Sequence, residues 1–325
     1  MLRLVTGPFH PTLQSHLIDD LRAAKSREPL ASLAIIVPSD HLRRSLKRLL
    51  ILEQQLALLN VHILTFHQLA LHLDHERRTI GTAGPLLQMD LVSDLFFEHL
   101  LRLIGQRPLP HTESLRLSSL PSGAWPALWA SLRDLKDATV DPAVAIRAVE
   151  EGQFAPDEGE KLKGLLTLYA AVREGSAALG VGSPDDLASL VTQHVPASPF
   201  LRGLRQLCYY GSYDLTQTQL TLLESLAATL PLTVYFPVDA NPAYGFAQQF
   251  LERHLYPLEG PSGVPDRPET SRIVSVPERV NVLLEVRNGA GIDDELALVC
   301  KQILTLTETH GYGFEDIGVV GRTLT

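Results

Sequence analysis

Three short apolar runs early in the chain, each giving way to helical spacing, limit what this sequence can fold into more than any other feature. Leu2–Val5 meets Gly7 and Pro8 and is followed by Leu13, Leu17, Ile18 and Leu21 at the spacing of one helix face. Ser32–Ser39, read SLAIIVPS, is apolar without alternation, as a strand covered on both faces of a parallel sheet must be. It leads into a helix striped by Leu42, Leu46, Leu49 and Leu50. Val61–Leu64 then passes through Thr65 and Phe66 into a third helix. Consecutive strand–helix units share a sheet through crossovers, and right-handed crossovers are the rule. The expected fold class is therefore α/β with a parallel sheet.

The alternation stops after residue 83. Helical periodicity alone runs through Leu86–Ile104, Ala124–Ala138, Asp141–Glu150, Glu158–Leu179 and Pro184–His194. Sheet-like segments resume at Gln206–Leu215 and Leu232–Asp239, with a helix at Gln217–Leu230 between them. The stretch GPSGVPDRPET reads as a linker. Beyond it, strands are expected at Ile273–Val276, Val280–Val286 and Ile317–Val320, and a helix at Asp293–Thr307. The organisation that follows is a sheet domain from residues 1–83 and 199–259, a helical insertion at 84–198, a linker at 260–270 and the start of a second α/β domain at 271–325. One parallel sheet is expected from residues 2–6, 33–37, 61–64, 206–211 and 232–236. Closing on IGVVGRTLT, a strand with nothing after it, the sequence reads as a piece of a longer protein.

Composition narrows the function. Across 325 residues, 45% hydrophobic and 20% charged content is that of a folded globular protein. No apolar run reaches the roughly 18 residues needed to cross a bilayer, and the N-terminus lacks the order of a signal peptide, so a cytoplasmic protein without a membrane partner is expected. Cys208 and Cys300 support neither a disulfide framework nor, with the histidines, a zinc site, and no metal or cofactor is expected. A net charge of −9 argues against indiscriminate binding to nucleic acid but leaves room for a local patch. The densest one is Arg43, Arg44, Lys47 and Arg48. Its plain reading is a solvated helix face, its functional reading contact with phosphates.

The first turn lies where a phosphate-binding loop would lie. Such a loop needs G-x-x-x-x-G-K-[ST], with glycines letting backbone N–H groups wrap phosphate, lysine neutralising it and a hydroxyl holding magnesium. Counting from Gly7, the second glycine is Thr12, the lysine Leu13 and the hydroxyl residue Gln14. The alternative is an ordinary βα turn. Fragments that could suggest a metal nuclease, Asp157 with Glu158-Gly159-Glu160-Lys161 and Pro184-Asp185, fall at expected helix starts, where capping and the helix dipole account for them. There is no G-x-S-x-G nucleophile elbow. Trp125 and Trp129, four apart on one helix, read as core rather than as base-stacking rings, and His67 as ordering a turn.

Several pieces line up in order with one family. Thr65-Phe66-His67-Gln68-Leu69-Ala70 resembles the TFHxLA motif of UvrD-type superfamily 1 helicases. Tyr210–Gln219, YGSYDLTQTQ, is similar to their Walker B segment DEFQDTNxxQ: Asp214 and Gln219 match, whereas Tyr210 and Gly211 replace the metal-binding aspartate and the catalytic glutamate. Tyr244-Gly245-Phe246 matches the YGF after their GDxxQSI motif, with Asn241 in place of the glutamine and Ala247 in place of the following arginine. Glu315–Arg322, EDIGVVGR, resembles the start of the second motor domain, and Arg322 falls on the arginine that contacts the γ-phosphate in active members. Leu132–Ala145 resembles the helical region of AddB. A helicase outline without lysine, Walker B carboxylates or glutamine resembles the inactivated half of AddB/RexB-type proteins.

That resemblance implies a P-loop NTPase (RecA-like) sheet, no ATPase activity, an AddA-like helicase–nuclease partner, DNA as ligand and a PD-(D/E)XK nuclease near the C-terminus of the full-length protein. It implies that Arg43, Arg44, Lys47, Arg48, Thr65, Phe66 and His67 face DNA, with Phe66 or a neighbouring aromatic as a stacking ring. Two other readings stay open: a divergent α/β nucleotide-binding enzyme, and a structural module that holds a partner without touching DNA.

Overall fold

A computed structural model describes residues 2–80, 89–152, 154–239, 244–259, 285–289 and 291–321. The chain divides into two units, residues 1–275 and 276–325.

In the first unit, strands β1 (Leu2–Gly7), β2 (Leu33–Val37), β3 (Val61–Thr65), β6 (Gln206–Tyr210) and β7 (Leu232–Pro237) form one parallel sheet in the order β1-β7-β6-β2-β3. A second, minor pair joins β4 (Asp90–Leu91) to β5 (Val181–Gly182). In the main sheet Leu2 lies opposite Leu232, Leu207 opposite Leu232 on its other side, and Leu33 opposite both Gln206 and Val61. Every residue of β2 and β7 is buried, which is why neither alternates in sequence.

The chain starts at one edge, crosses to β2 and the far edge β3, then returns inward through β6 and β7. With right-handed crossovers that reversal of direction places helices on opposite faces. Accordingly α1 (Gln14–Arg27) and α2 (Asp40–Arg48) pack on Ile35, Val37, Cys208, Tyr210 and Tyr235. On the other face α3 (Phe66–Ile80), α8 (Asp186–Thr192) and α10 (Gln217–Thr229) cover Ala34, Ile36, Tyr209, Val234 and Phe236. The sheet is doubly wound. Its first strand nevertheless sits at an edge, unlike the two common dinucleotide- and flavin-binding orders, where it lies inside.

The helical insertion contains α4 (Asp94–Gly105), α5 (Ala124–Asp137), α6 (Pro142–Glu150) and α7 (Pro156–Leu179). Phe97 and Trp129 stack at 4.5 Å with 2° between their planes, and Trp125 joins them in a core with Leu101, Leu132, Leu168 and Val172. Both tryptophans are thus core residues. The helix expected from Leu86 begins at Asp94 instead, because β4 pairs in parallel with β5 and ties the entry of the insertion to its exit; residues 86–88 lie outside the described ones. The strand expected over Gln206–Leu215 stops at Tyr210, where Gly211 turns the chain with φ +93°.

In the second unit, α12 (Ile292–His310) opens with Asp293, Asp294 and Glu295 and closes on Gly311 at φ +73°, the charge and chirality pattern of a well-terminated helix. The expected strand at Ile317–Val320 is not formed: a 3₁₀ turn at Phe314–Asp316 is followed by extended backbone with no paired strand among the described residues. A strand needs a neighbour for its N–H and C=O groups, and alternation in sequence cannot supply one. The expected strand at 273–276, most of that at 280–286, and the linker at 260–270 lie outside the described residues; Glu285 and Val286 are described and are not in a strand. Among the described residues no helix is long and apolar enough to cross a membrane.

Candidate functional site

Ligands of open α/β sheets bind beyond the carboxyl ends of the strands. At that edge the chain places Gly7 at the end of β1, Ser39 and Asp40 after β2, Thr65 at the end of β3 with Phe66 after it, and Gly211 after β6. The resemblance directs attention to the ground between the β1 turn and the end of β6.

That ground is filled with side chains. Phe9, two residues past Gly7, stacks on Tyr210 with ring centroids 5.1 Å apart and 28° between planes. Leu13, standing where a phosphate loop has its lysine, is wholly buried among Leu17, Leu46 and Tyr210 of one core cluster. Leu42 of α2 closes from the other side: a methyl group built on Gly211 would lie 2.5 Å from its Cδ2 and 3.1 Å from Cε2 of Phe9. A side chain at 211, a carboxylate included, would have to displace the ends of Leu42 and Phe9. Burial pushes the Tyr210 phenol up to about 12, so the ring stays neutral and serves as packing.

The turn is tied to itself. The Leu13 amide donates to the Pro8 carbonyl at 3.1 Å, Gln14 pairs with His10 at 2.9 Å, and Thr12 packs against Gly7. Asp214 is exposed, and its carbonyl accepts from the Ser212 hydroxyl at 2.5 Å. Gln219 completes a capping box with Thr216 at the start of α10, its side-chain oxygen accepting from the Thr216 amide at 3.2 Å. Ala247, where the family carries an arginine, is fully buried. Tyr213, Tyr244 and Phe246 form an aromatic group beside it, Tyr213 lying 5.7 Å from Tyr244 and 6.3 Å from Phe246. Asn241 and Arg322 lie outside the described residues.

The expected DNA-facing residues divide. Asp40 binds both leading arginines, with Arg43 Nε at 2.6 Å and Arg44 Nε at 2.7 Å, and these two guanidinium groups hold its carboxyl below the usual range, Arg44 contributing most. Lys47 and Arg48 have no ion pair among the described residues. Thr65 caps α3 reciprocally with Gln68, at 3.2 and 3.1 Å. Phe66 corrects the expectation of stacking: it is buried, with its ring against Tyr209 at 5.2 Å, so it has no face for a base. His67 is exposed and borders a small cavity of about 90 Å³ with Asp137, Asp185 and Gln219.

The nuclease-like fragments behave as helix starts, with Pro156 in the first turn of α7 followed by Asp157 and Glu158. At α8 the assignment shifts by one residue: Asp185 makes no capping bond, whereas Asp186 accepts from the Ser183 amide at 2.7 Å. No group of three or more metal-ligating side chains occurs among the described residues. Sequence reasoning missed Phe9 and Leu42 as fillers of the site; the signal for Phe9 was an aromatic residue directly after Gly7-Pro8, where a phosphate loop stays small. In comparison with known proteins, no family model and no curated protein matches the chain.

Proposed function

We propose that this chain is a motor-dead, helicase-like module of an AddB-type protein that processes DNA ends, with a RecA-like sheet that scaffolds a partner helicase–nuclease and contacts DNA without hydrolysing ATP. The observation that carries the reading is the apolar filling formed by Phe9, Leu13, Leu42 and Tyr210 between the β1 turn and the end of β6. Phosphoryl transfer depends on positioned charge, and here the charged positions hold a buried leucine, a buried tyrosine and a glycine with no space beside it. The order of the motifs supports the same reading. TFHQLA opens α3 directly after β3, and YGSYDLTQTQ runs from the end of β6 into α10, so both fall at one edge of one sheet.

DNA contact on this reading comes from phosphates rather than bases, through Arg44, Lys47 and Arg48, because the phenyl ring of the TFHQLA motif is buried. The test combines calorimetry with magnesium and ATP and a salt titration of single-stranded DNA binding. The expected result is no ATP heat, DNA binding that weakens with salt, and a shallower slope in Lys47→Glu/Arg48→Glu. Magnesium-dependent ATP binding would favour the nucleotide-enzyme reading. DNA affinity unchanged in the double variant would favour a module that only holds a partner, a reading that the Asp40 clamp on two of the four cations supports.

A further inference from the structure

The helical insertion and the sheet domain keep separate cores. Phe97, Leu101, Trp129, Leu132 and Val172 pack with one another and with Val92, without a described member from the sheet domain. Leu187 and Val191 of α8 belong instead to the core on the sheet, and Met89 packs against that core. The β4–β5 pair lies between Met89 and Val92 on one strand and between α7 and α8 on the other. It is held by two backbone bonds: the Asp90 amide donates to the Gly180 carbonyl at 2.9 Å and the Val92 amide to the Gly182 carbonyl at 3.0 Å. Bodies with separate cores and a narrow joint move relative to each other unless a large apolar interface ties them.

Where such an interface would lie there is a cleft of about 610 Å³. Its floor, Trp129, Leu132 and Tyr169, is the insertion's own buried core, and α8 presents Ser189 and Leu190 across it. Lys136 of α5 spans the seam. Its ammonium pairs with Asp186 at 3.0 Å and donates to the Ser183 hydroxyl, and Asp186 is itself held by the Ser183 amide at 2.7 Å. Beside this attraction stands a repulsion. Burial first and the Asp185 charge second push the Asp137 carboxyl up, while Lys136 and Arg133 oppose them and Asp134 adds to them. Lys136, Arg133 and Asp134 ride on α5 together with Asp137, so parting the two bodies leaves them in place. Asp185 stands on the other body, so its repulsion falls as the seam opens.

We propose that the helical insertion swings as a rigid body on the β4–β5 pair, with Lys136 as the latch that holds it against α8 and Asp137, facing Asp185, as the charge that favours opening. The device does not depend on the helicase reading, since it uses neither the β1 turn nor the basic helix.

The test places spin labels at Ala143→Cys on α6 and Thr221→Cys on α10, both exposed, in the whole chain carrying Cys300→Ser; Cys208 is buried. Double electron–electron resonance then reads the separation of the two bodies. A closed distance with a minor longer component is expected. The longer fraction should rise about fivefold in Lys136→Met, the scale of one partly screened ion pair. Asp186→Asn, which breaks the same pair from the other body, should act likewise. In Lys136→Met/Asp137→Asn the longer fraction should fall back toward that of the parent, and circular dichroism checks that each variant folds. Distance distributions that Lys136→Met and Asp186→Asn both leave unchanged would overturn the proposal. So would a longer fraction that Asp137→Asn fails to reduce in the Lys136→Met background, because packing rather than charge would then set the position of the insertion.

Discussion

Replacing Leu13 by lysine restores the residue that a phosphate loop requires and tests whether the loop or the core owns that position. Leu13 is completely buried in the cluster formed by α1, α2 and the sheet. Burying a leucine side chain is worth about 1.5–3 kcal/mol, and truncating one in a core costs about 2–5 kcal/mol once the cavity is included. Lysine retains an apolar stem, but its ammonium must either be desolvated or drag the turn open, so a loss of about 3 kcal/mol or more is expected for Leu13→Lys. At roughly 2–4 °C per kcal/mol this amounts to a midpoint lowered by about 6–12 °C. The pH dependence separates charge from cavity. A buried lysine has a folded pKa below its unfolded value of about 10.4, so its penalty is present at neutral pH and fades as pH rises toward that value. Leu13→Ala should be destabilised by a similar amount with no such dependence. Thermal and urea unfolding followed by circular dichroism, at neutral pH and near pH 10, read both effects, and calorimetry reads ATP. A Leu13→Lys protein as stable as the parent that also binds ATP with magnesium would refute the reasoning, because the position would then face a working phosphate site.

Other outcomes follow from the same packing. Gly211→Ala places a methyl group against Leu42 at a φ that side chains rarely adopt, and should cost about 1–3 kcal/mol in urea unfolding; Gly211→Glu should cost more and yield no hydrolysis in a phosphate-release assay. Asp74, buried on α3, accepts from Arg77 at 2.8 Å and Arg78 at 2.6 Å, so Asp74→Asn removes the buried carboxylate that two guanidinium groups share and should lower stability by about 2–4 kcal/mol, read by chemical denaturation. The Asp137 carboxyl is raised by burial and by Asp185, against the opposing charges of Lys136 and Arg133. A raised carboxyl contributes stability that is full below its unfolded pKa and is lost as pH rises through its folded one. Asp137→Asn should therefore flatten the stability profile over mildly acid pH; an unchanged profile would mean that Asp137 is solvated like any surface carboxylate.

Much of this molecule is written locally. Strands covered on both faces, such as Leu33–Val37 and Leu232–Pro237, must be continuously apolar, and their length and flanking turns separate them from helices. The starts of α6 and α7 are marked by proline at the first position, and Thr65 with Gln68 and Thr216 with Gln219 give two capping boxes at the spacing that such boxes require. The clamp of Asp40 on Arg43 and Arg44 was equally present, at three and four residues along one helix, and qualifies the basic patch. The strand expected at Ile317–Val320 fails for the converse reason, since pairing requires a neighbour that local pattern does not encode. Distance in sequence hid the rest. Phe9 meets Tyr210 and Leu42 approaches Gly211 only because β1, β2 and β6 end at one edge, and Asp137 meets Asp185 only because the helical insertion folds against α8. Periodicity reports that a side chain is buried, whereas which distant side chain fills the space beside it, and whether a charge there finds a partner, is decided by the packing of elements that the sequence keeps far apart.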